Sequence, residues 1–291
     1  MAVARERLST AQATVQPGAL LQTIGLTKSF GGLAAVQNID FHISPGEIVG
    51  VIGPNGAGKS TFFNLITGLY KPTRGRILVA GQDVTGKRPD ILLRAGVART
   101  FQNIRLFQNM TVLDNVLVGY HTRLKSRLVG DILKLPPTRR EEREAERRAF
   151  EVLRLFDDRL VPHSYELARN LAYADRRLLE IARALASSPK LLLLDEPTVG
   201  MNPAETENAI RIIAKIRSAD LAIILIEHKL NVVMGMSNRV VVLDYGEKIA
   251  EGTPREVQTN EKVIEAYLGR KAAAQAAAML DRRDALEEAG Q

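Results

Sequence analysis

A glycine-rich segment that ends in a lysine and two hydroxyl residues has the clearest potential for chemistry in this sequence. The segment reads Gly53, Pro54, Asn55, Gly56, Ala57, Gly58, Lys59, Ser60 and Thr61. Glycines allow the backbone to curl so that successive N–H groups face one anion, and a helix beginning near Lys59 adds its positive dipole end. The pattern G-x-x-x-x-G-K-[ST] therefore predicts a phosphate-binding loop, in which Lys59 reaches the β- and γ-phosphates of a nucleotide and Ser60 ligates Mg²⁺.

Two carboxylates and a histidine come shortly after two other apolar runs. Asp195 and Glu196 follow residues 191–194, and His228 stands two residues after the run 222–226. We expect Asp195 to serve the Mg²⁺ site through water, Glu196 to polarise the attacking water as a general base, and His228 to contact the γ-phosphate. Without the phosphate loop, an acidic turn and an incidental histidine would be the better interpretation.

The spacing of apolar residues predicts the elements that carry these groups. Ile48–Ile52 is nearly continuous in apolar residues, as a strand buried on both faces is, and it leads straight into the glycine-rich segment. From Leu178 onward the pattern is helix, strand 191–194, helix 204–217, strand 222–226, helix, strand 240–243. This alternation predicts a parallel sheet with helices on both sides, which places the strand ends at one edge.

Upstream segments also have readable periodicity. Ile39, Phe41 and Ile43 alternate with polar residues, which predicts a strand with one buried face. A helix is predicted at residues 61–69, ended by a proline, and a strand at residues 76–79.

A long charged region follows. Residues 112–156 are helix-prone, and the pair Pro136-Pro137 predicts one break. Much of the basic excess lies between residues 123 and 159, but glutamates are interleaved with it at helical spacings. We interpret this mixture as a solvated helix with ion pairs rather than as a nucleic-acid-binding stripe.

Composition limits the class of protein. The 291 residues are 45% hydrophobic and 25% charged, which excludes disordered and collagen-like chains. The absence of cysteine excludes disulfides and cysteine-ligated metals, and it fits a reducing cytoplasm. No apolar run approaches the roughly 20 residues of a membrane helix, so we expect any membrane role to be peripheral. The net charge of +7 fits nucleic acid, anionic lipid or an acidic protein partner equally well.

In order and spacing, the glycine-rich loop, Gln102, the run 170–185, the carboxylate pair and His228 resemble the ATP-binding cassette (ABC) family over roughly residues 21–268. A narrower similarity is to the ATPase subunit of branched-chain amino acid importers. It is carried by residues 30–36, 99–103, 170–173, 179–184, 252–254 and 266–269.

The resemblance implies an α/β fold of the P-loop NTPase type with a mainly parallel core sheet, an N-terminal antiparallel β subdomain and a helical signature subdomain. The domain boundaries it suggests are a flexible leader at 1–20, the cassette at 21–269 with its helical subdomain at about 103–185, and a helical tail at 270–291.

The same resemblance assigns roles to individual residues. Phe30 would stack on the adenine of ATP, and Gln102 would be a ligand of Mg²⁺ or water. Gln102 and residues 103–107 would also sense a permease. In the alternative interpretation, Gln102 is an ordinary surface amide.

The resemblance implies a set of partners as well. These are transmembrane permease subunits, a second ATPase subunit in a homo- or heterodimer, and indirectly a periplasmic substrate-binding protein; no nucleic acid is expected. The protein would be cytoplasmic and peripheral on the inner face of the plasma membrane, and it would serve import of branched-chain amino acids.

One segment departs from the family pattern L-S-G-G-Q, which contacts the partner's ATP. It reads Leu171, Ala172, Tyr173, Ala174 and Asp175. Ala172 lacks a hydroxyl, Ala174 adds a Cβ where glycine is favoured, and Asp175 would repel a phosphate. We expect Arg176 and Arg177 to offset that repulsion, which leaves a weakened contact.

Two other functions compete with transport. A non-transport ABC ATPase that acts on nucleic acid or ribosomes would explain the basic charge, although such proteins usually carry two cassettes or a long insertion. A kinase or GTPase could use the same phosphate loop, but the carboxylate pair and His228 disfavour it.

Overall fold

The computed structural model describes residues 16–120, 136–156, 159–217 and 220–268. The predicted tail at 270–291 and residues 1–15 of the predicted leader lie outside these ranges. The strands are β1 (Leu21–Phe30), β2 (Leu33–Ile43), β3 (Ile48–Ile52), β4 (Arg74–Val79), β5 (Gln82–Asp83), β6 (Val97–Arg99), β7 (Leu191–Asp195), β8 (Ala222–Ile226), β9 (Arg239–Asp244) and β10 (Glu247–Gly252). The helices are α1 (Lys59–Ile66), α2 (Pro89–Arg94), α3 (Val112–Tyr120), α4 (Pro136–Leu153), α5 (Tyr173–Ala186), α6 (Pro203–Ile216), α7 (Leu230–Met236), α8 (Pro254–Gln258) and α9 (Glu261–Leu268).

A six-stranded sheet in the order β10-β9-β3-β8-β7-β6 forms the centre of the fold. Its strands pair in parallel except for β10, which runs antiparallel to β9. Ile226 at the end of β8 is in register with both Val51 of β3 and Asp195 of β7. The segments that follow these three strands therefore leave the sheet at one edge, as the sequence predicts.

Alternation of side chains explains why the central strands are apolar throughout. In β7, Leu191 and Leu193 face one core cluster, whereas Leu192 and Leu194 face another. Both faces of the strand are buried, so neither set of positions tolerates polar side chains.

An antiparallel sheet in the order β2-β1-β4-β5 lies over one face of the central sheet. Helix α1 fills the space between them with Phe62 and Phe63, and Phe62 packs edge-on against Phe41 of β2 at 5.4 Å. On the opposite face, helices α3 to α6 contribute to a second core. The parallel core sheet, the antiparallel β subdomain and the helical layer all agree with the predicted fold class.

Helix α4 begins at Pro136, because proline at the start of a helix loses no intrahelical hydrogen bond. Farther along, Glu144 pairs with Arg147 and Arg148, each at 2.8 Å, and Arg147 also pairs with Glu151. These exposed ion pairs match the prediction of a solvated, ion-paired helix.

Some predicted boundaries are wrong. Helix α1 ends at Ile66 rather than at residue 69, because Gly68 has a left-handed backbone with φ of 74°. Strands β1, β5, β6 and β10 were not predicted from the spacing of apolar residues. Strand β10 follows β9 through the two-residue turn Tyr245-Gly246, in which both residues have positive φ, as a tight hairpin requires.

Within the described ranges, none of the helices has the length and apolar character needed to cross a membrane.

Candidate functional site

The glycine-rich loop connects β3 directly to α1. Gly58 has φ of 96°, and a Cβ there would lie 2.4 Å from the carbonyl oxygen of Ala35. Gly53 has φ of 150°, and its Cβ would lie 2.0 Å from the carbonyl oxygen of Leu243. Both positions therefore require glycine, because a side chain would collide with backbone atoms that cannot move away cheaply.

Lys59 is the first residue of α1 and is only 8% exposed. Its Nζ donates to the carbonyl oxygens of Gly53 at 2.6 Å and Pro54 at 2.9 Å. Burial lowers the pKa of Lys59, while the nearby charges of Glu196 and Asp195 act in the opposite direction. The loop thus holds its own cation, next to the exposed Ser60 in the first turn of the helix.

Glu196 follows β7 immediately, and its carboxylate contacts the side chains of two other predicted site residues, Gln102 and His228. The Gln102 side-chain amide donates to both carboxylate oxygens of Glu196, at 3.2 and 3.1 Å. His228 Nε2 lies 2.9 Å from Glu196 Oε1. Glu196 has φ of 50°, a left-handed conformation that costs a non-glycine residue about 1–3 kcal/mol. The fold therefore fixes this carboxylate in a strained backbone position between an amide and an imidazole.

These groups share one cleft of about 290 Å³. Residues 55–61 of the glycine-rich loop line it, together with Ala35, Gln102, Glu196 and His228. One wall offers backbone N–H groups and a lysine, and the other offers a carboxylate with its two partners. Such a cleft can hold a phosphate chain opposite a general base.

Asp195 is close to Lys59 but is not among the residues that line the cleft. Its carboxylate is 3% exposed and accepts a hydrogen bond from Arg99 at 2.7 Å. Burial raises the pKa of Asp195, and the hydrogen bond and charge of Arg99 oppose that rise. Arg99 also donates to Asn64 Oδ1 at 2.6 Å, which connects the end of β6 to helix α1.

The donor set suits Mg²⁺ in chemical type. A hydroxyl from Ser60, an amide oxygen from Gln102 and a carboxylate from Asp195 are all hard oxygen ligands, which Mg²⁺ prefers. Ser60 and Gln102 line the cleft. Asp195, the last residue of β7, forms an ion pair with Arg99. No cluster of three or more His, Cys, Asp or Glu with metal-binding geometry occurs in the described ranges.

Phe30 is 45% exposed at the end of β1 and does not line the cleft. Its ring packs edge-on against Tyr70 at 5.4 Å, and Lys28 Nζ lies 5.0 Å from its centroid. The exposed ring is available for stacking, and its contact with adenine stays a prediction.

Glu227 is a residue of this site that the sequence analysis did not assign. It is buried, and its Oε1 accepts hydrogen bonds from the backbone N–H of Thr198 at 2.8 Å and the Thr198 hydroxyl at 2.7 Å. Its Oε2 accepts from the backbone N–H of His228 at 3.2 Å. The available signal was an acidic residue directly between a fully buried strand and the histidine.

The divergent segment forms the start of helix α5. The helix begins at Tyr173 after Ala172, which makes no side-chain capping bond. Asp175 in the first turn pairs with Arg159 Nε at 2.7 Å.

The ion-pair partner of Asp175 is Arg159, and whether Arg176 and Arg177 offset the repulsion of a phosphate stays a prediction. Arg177 turns inward and donates to the carbonyl oxygens of Phe101 and Gln102. The guanidinium of Arg176 lies 6.0 Å from the Tyr173 ring centroid.

The loop between β3 and α1, with the carboxylate and histidine at the same sheet edge, defines a P-loop NTPase. A protein-family model described as ABC transporter matches residues 36–199, more than half of the chain. A second model, described as branched-chain amino acid ATP-binding cassette transporter, matches residues 247–273. The chain belongs to the ABC transporter family.

Individual relatives agree with this assignment. The chain is 47% identical over 251 residues to the high-affinity branched-chain amino acid transport ATP-binding protein LivG of Escherichia coli K12, covering 86% of this chain and 98% of LivG. It is 43% identical over 251 residues to the corresponding protein BraF of Pseudomonas aeruginosa, with the same coverage. A nucleotide-free ATP-binding cassette from an ABC transporter matches with a TM-score of 0.75 and 30% identity, covering 87% of this chain and 100% of that one. The predicted ABC cassette fold is confirmed.

Proposed function

We propose that this chain is the ATP-hydrolysing subunit of an ABC importer for branched-chain amino acids, and that it powers separate membrane permease subunits. The observation that carries the hydrolysis is the carboxylate of Glu196, held by Gln102 and His228 across the cleft from the phosphate loop. The substrate class is supported by the names of LivG and BraF, which this chain resembles over nearly their full length.

Each group of residues in the cleft has a separate role in the reaction. Backbone N–H groups of residues 55–61 and the Lys59 ammonium hold the β- and γ-phosphates. Glu196 accepts a proton from water as the water oxygen bonds to the γ-phosphorus and the bond to the ADP oxygen breaks. Gln102 and His228 keep the Glu196 carboxylate oriented toward that water.

Mg²⁺ fits the oxygen donors of the cleft. Ser60 and Gln102 would hold it, and Asp195 would act through water, as the sequence predicts. When bound, it would neutralise charge on the phosphate oxygens.

The assembly proposed for this chain follows its family. It contains two transmembrane permease subunits, a second ATPase subunit and, indirectly, a periplasmic substrate-binding protein. The chain would lie in the cytoplasm against the inner face of the plasma membrane, and Phe30 would stack on adenine while residues 171–175 contact the ATP of the partner ATPase.

Co-purification of the full-length chain with its permeases and binding protein tests this function. In vesicles that contain the complex, leucine, isoleucine or valine should stimulate ATP hydrolysis and accumulate inside, whereas unrelated amino acids should not. A ligand screen on the binding protein identifies the substrate independently. Absence of ATP hydrolysis by the complex would contradict the proposal.

The nucleic-acid alternative receives no support from the relatives named above, which are transport proteins. Salt-sensitive binding of the full-length chain to RNA or DNA would revive it.

A further inference from the structure

The position of Gln102 depends on a segment that has no regular secondary structure of its own. Residues 100–110, between β6 and α3, form neither helix nor strand. Their backbone groups therefore lack the ladder of hydrogen bonds that fixes an ordinary element. Something outside the segment must hold the Gln102 amide within 3.2 Å of Glu196.

Arg177 of helix α5 binds the carbonyl side of this segment. Its side chain is 4% exposed, and the guanidinium donates to the carbonyl oxygens of Phe101, at 2.9 Å, and Gln102. The same guanidinium donates to the Tyr173 hydroxyl at 3.2 Å. A planar guanidinium can make these bonds together because its donors point in fixed, separate directions.

Glu180, one turn farther along α5, binds the N–H side of the same segment. Its Oε1 accepts from the backbone N–H groups of Phe101 and Arg105, both at 3.3 Å, and the carboxylate is 2% exposed. Its Oε2 lies 3.6 Å from Arg177 NH1. Two buried and opposite charges on one helix thus bind both kinds of backbone group in residues 101–105.

Helix α5 also touches the chain beyond Glu196. A Cβ at Gly200 would lie 2.8 Å from the ring of Tyr173, so this ring packs directly on the backbone there. Helix α5, whose Arg177 binds the backbone of Gln102, therefore also contacts the loop that follows Glu196.

We propose that Arg177 and Glu180 are positioning residues for ATP hydrolysis, which hold Gln102 against Glu196 and bind its segment to helix α5. The proposal rests on the proposed role of Glu196 in hydrolysis. It assigns no contact with ATP to either residue.

Kinetics of the full-length chain test the proposal. Arg177→Met should lower kcat for ATP hydrolysis by about 10- to 100-fold, because it removes buried charged hydrogen bonds that orient a catalytic partner. The KM for ATP should change by less than about twofold, since the phosphate loop is untouched. Arg148→Met, which removes an exposed arginine of α4, is the matched control and should retain the parental rate.

Double substitution separates positioning from general stabilisation. Arg177→Met combined with Gln102→Ala should be no slower than Gln102→Ala alone, because both changes remove the same contact. Multiplicative losses in the double variant, or a rise in KM parallel to the fall in kcat, would overturn the proposal. Glu180→Gln, which keeps the size of the side chain, provides a second variant if Arg177→Met unfolds.

Hydrogen exchange tests the binding of residues 101–105 by Arg177 and Glu180 without reference to ATP hydrolysis. In Arg177→Met and in Glu180→Gln, the amides of residues 101–105 should exchange at least about 10-fold faster than in the parent, while those of β7 stay protected. Unchanged exchange at residues 101–105 would show that Arg177 and Glu180 do not hold this segment, even in an active enzyme. Faster exchange in a chain that never hydrolyses ATP would support their holding of the segment and reject the proposed function.

Discussion

Glu196 combines a strained backbone with two side-chain partners that come from distant parts of the sequence. Its left-handed φ of 50° directs the carboxylate into the cleft, where Gln102 and His228 contact it. Strain of this kind persists only where surrounding structure enforces it, and here the buried ladder of β7 and β8 does so.

Replacement of this carboxylate by an amide gives a direct test of the general base. Glu196→Gln should lower kcat for ATP hydrolysis by about 10²- to 10⁴-fold, because the amide cannot accept a proton from water. ATP affinity should remain close to that of the parent, so the variant should accumulate in an ATP-loaded state. Steady-state hydrolysis and binding of a fluorescent ATP analogue measure the two quantities.

The exposed Glu207 of α6 provides the matched control, and Glu207→Gln should hydrolyse ATP at the parental rate. Parental turnover by Glu196→Gln itself would show that another group acts as the base.

Gly58 allows a test of the phosphate loop at the level of one methyl group. Gly58→Ala places a Cβ 2.4 Å from the carbonyl oxygen of Ala35 in a left-handed conformation. The loop must shift, so ATP affinity should fall by at least about 10-fold, the equivalent of about 1.4 kcal/mol of misplaced hydrogen bonding. Gly235→Ala adds a methyl group in open space on α7 and should leave affinity unchanged. Equal affinities in both variants would refute the requirement for glycine at position 58.

At the level of single residues, the structure brings together the predicted groups whose chemistry is local in the chain. The glycine-rich loop, Glu196 and His228 line one cleft, and the sequence could point to them because each lies at the end of a buried strand. Arg159 was missed as the partner of Asp175, since nothing in the sequence between them indicates that the chain folds back there.

Among the elements, the fully buried strands were predicted most accurately. Strands β3 and β8 begin and end at the predicted residues, and β7 is one residue longer, because burial on both faces leaves no polar position to blur the pattern. Strand β10 was missed because its exposed residues lack apolar alternation. Its pairing depends on a turn after β9 instead.

Strands β9 and β10 are tied together by a charged cluster that has a predictable pH dependence. Glu251 accepts from Arg239 and, at 2.5 Å, from Lys248. Burial alone would raise the pKa of Glu251, but the hydrogen bond from Lys248 and the charges of Lys248 and Arg239 hold it below its ordinary value. Because the folded-state pKa is lowered, the stabilisation is present above the unfolded pKa of about 4.3 and is lost as the pH falls through the folded value.

Glu251→Gln should therefore lower the free energy of unfolding at pH 7 by about 1–2 kcal/mol. The difference from the parent should shrink as the pH falls below about 4. Urea unfolding at several pH values measures it, with Glu247→Gln on the same strand as the control. A difference that stays constant down to about pH 3 would show that the carboxylate charge is not the cause.

On the scale of the whole molecule, the start of α5 carries the segment that we expect to meet the ATP of a partner subunit. Asp175 lies in the first turn of the helix and pairs with Arg159 at 2.7 Å, so a carboxylate of the chain itself already occupies the positive end of the helix. A phosphate from a partner ATPase would compete with that arrangement. The contribution of this chain to the ATP site of its partner is therefore expected to be weak.

Restoration of the family pattern tests this expectation in the assembled transporter. Ala174→Gly combined with Asp175→Gln should raise the ATPase rate several-fold. The double change removes the carboxylate that would repel the phosphate of the partner's ATP, and it removes a Cβ from the contact. Asp83→Asn in β5 is a control that removes an exposed carboxylate elsewhere. An unchanged or lower rate in the double variant would show that the divergent segment does not limit the reaction.

The buried carboxylate of Glu227 joins the loop after Glu196, through Thr198, to the backbone of His228. The Glu196 carboxylate and the His228 imidazole therefore lie on two loops that are already hydrogen-bonded to each other in the folded chain. ATP does not have to order these loops when it arrives, so the entropy of bringing them together is lost once per folded molecule and not once per turnover. Each catalytic cycle can then begin from a site whose two sides are already in place.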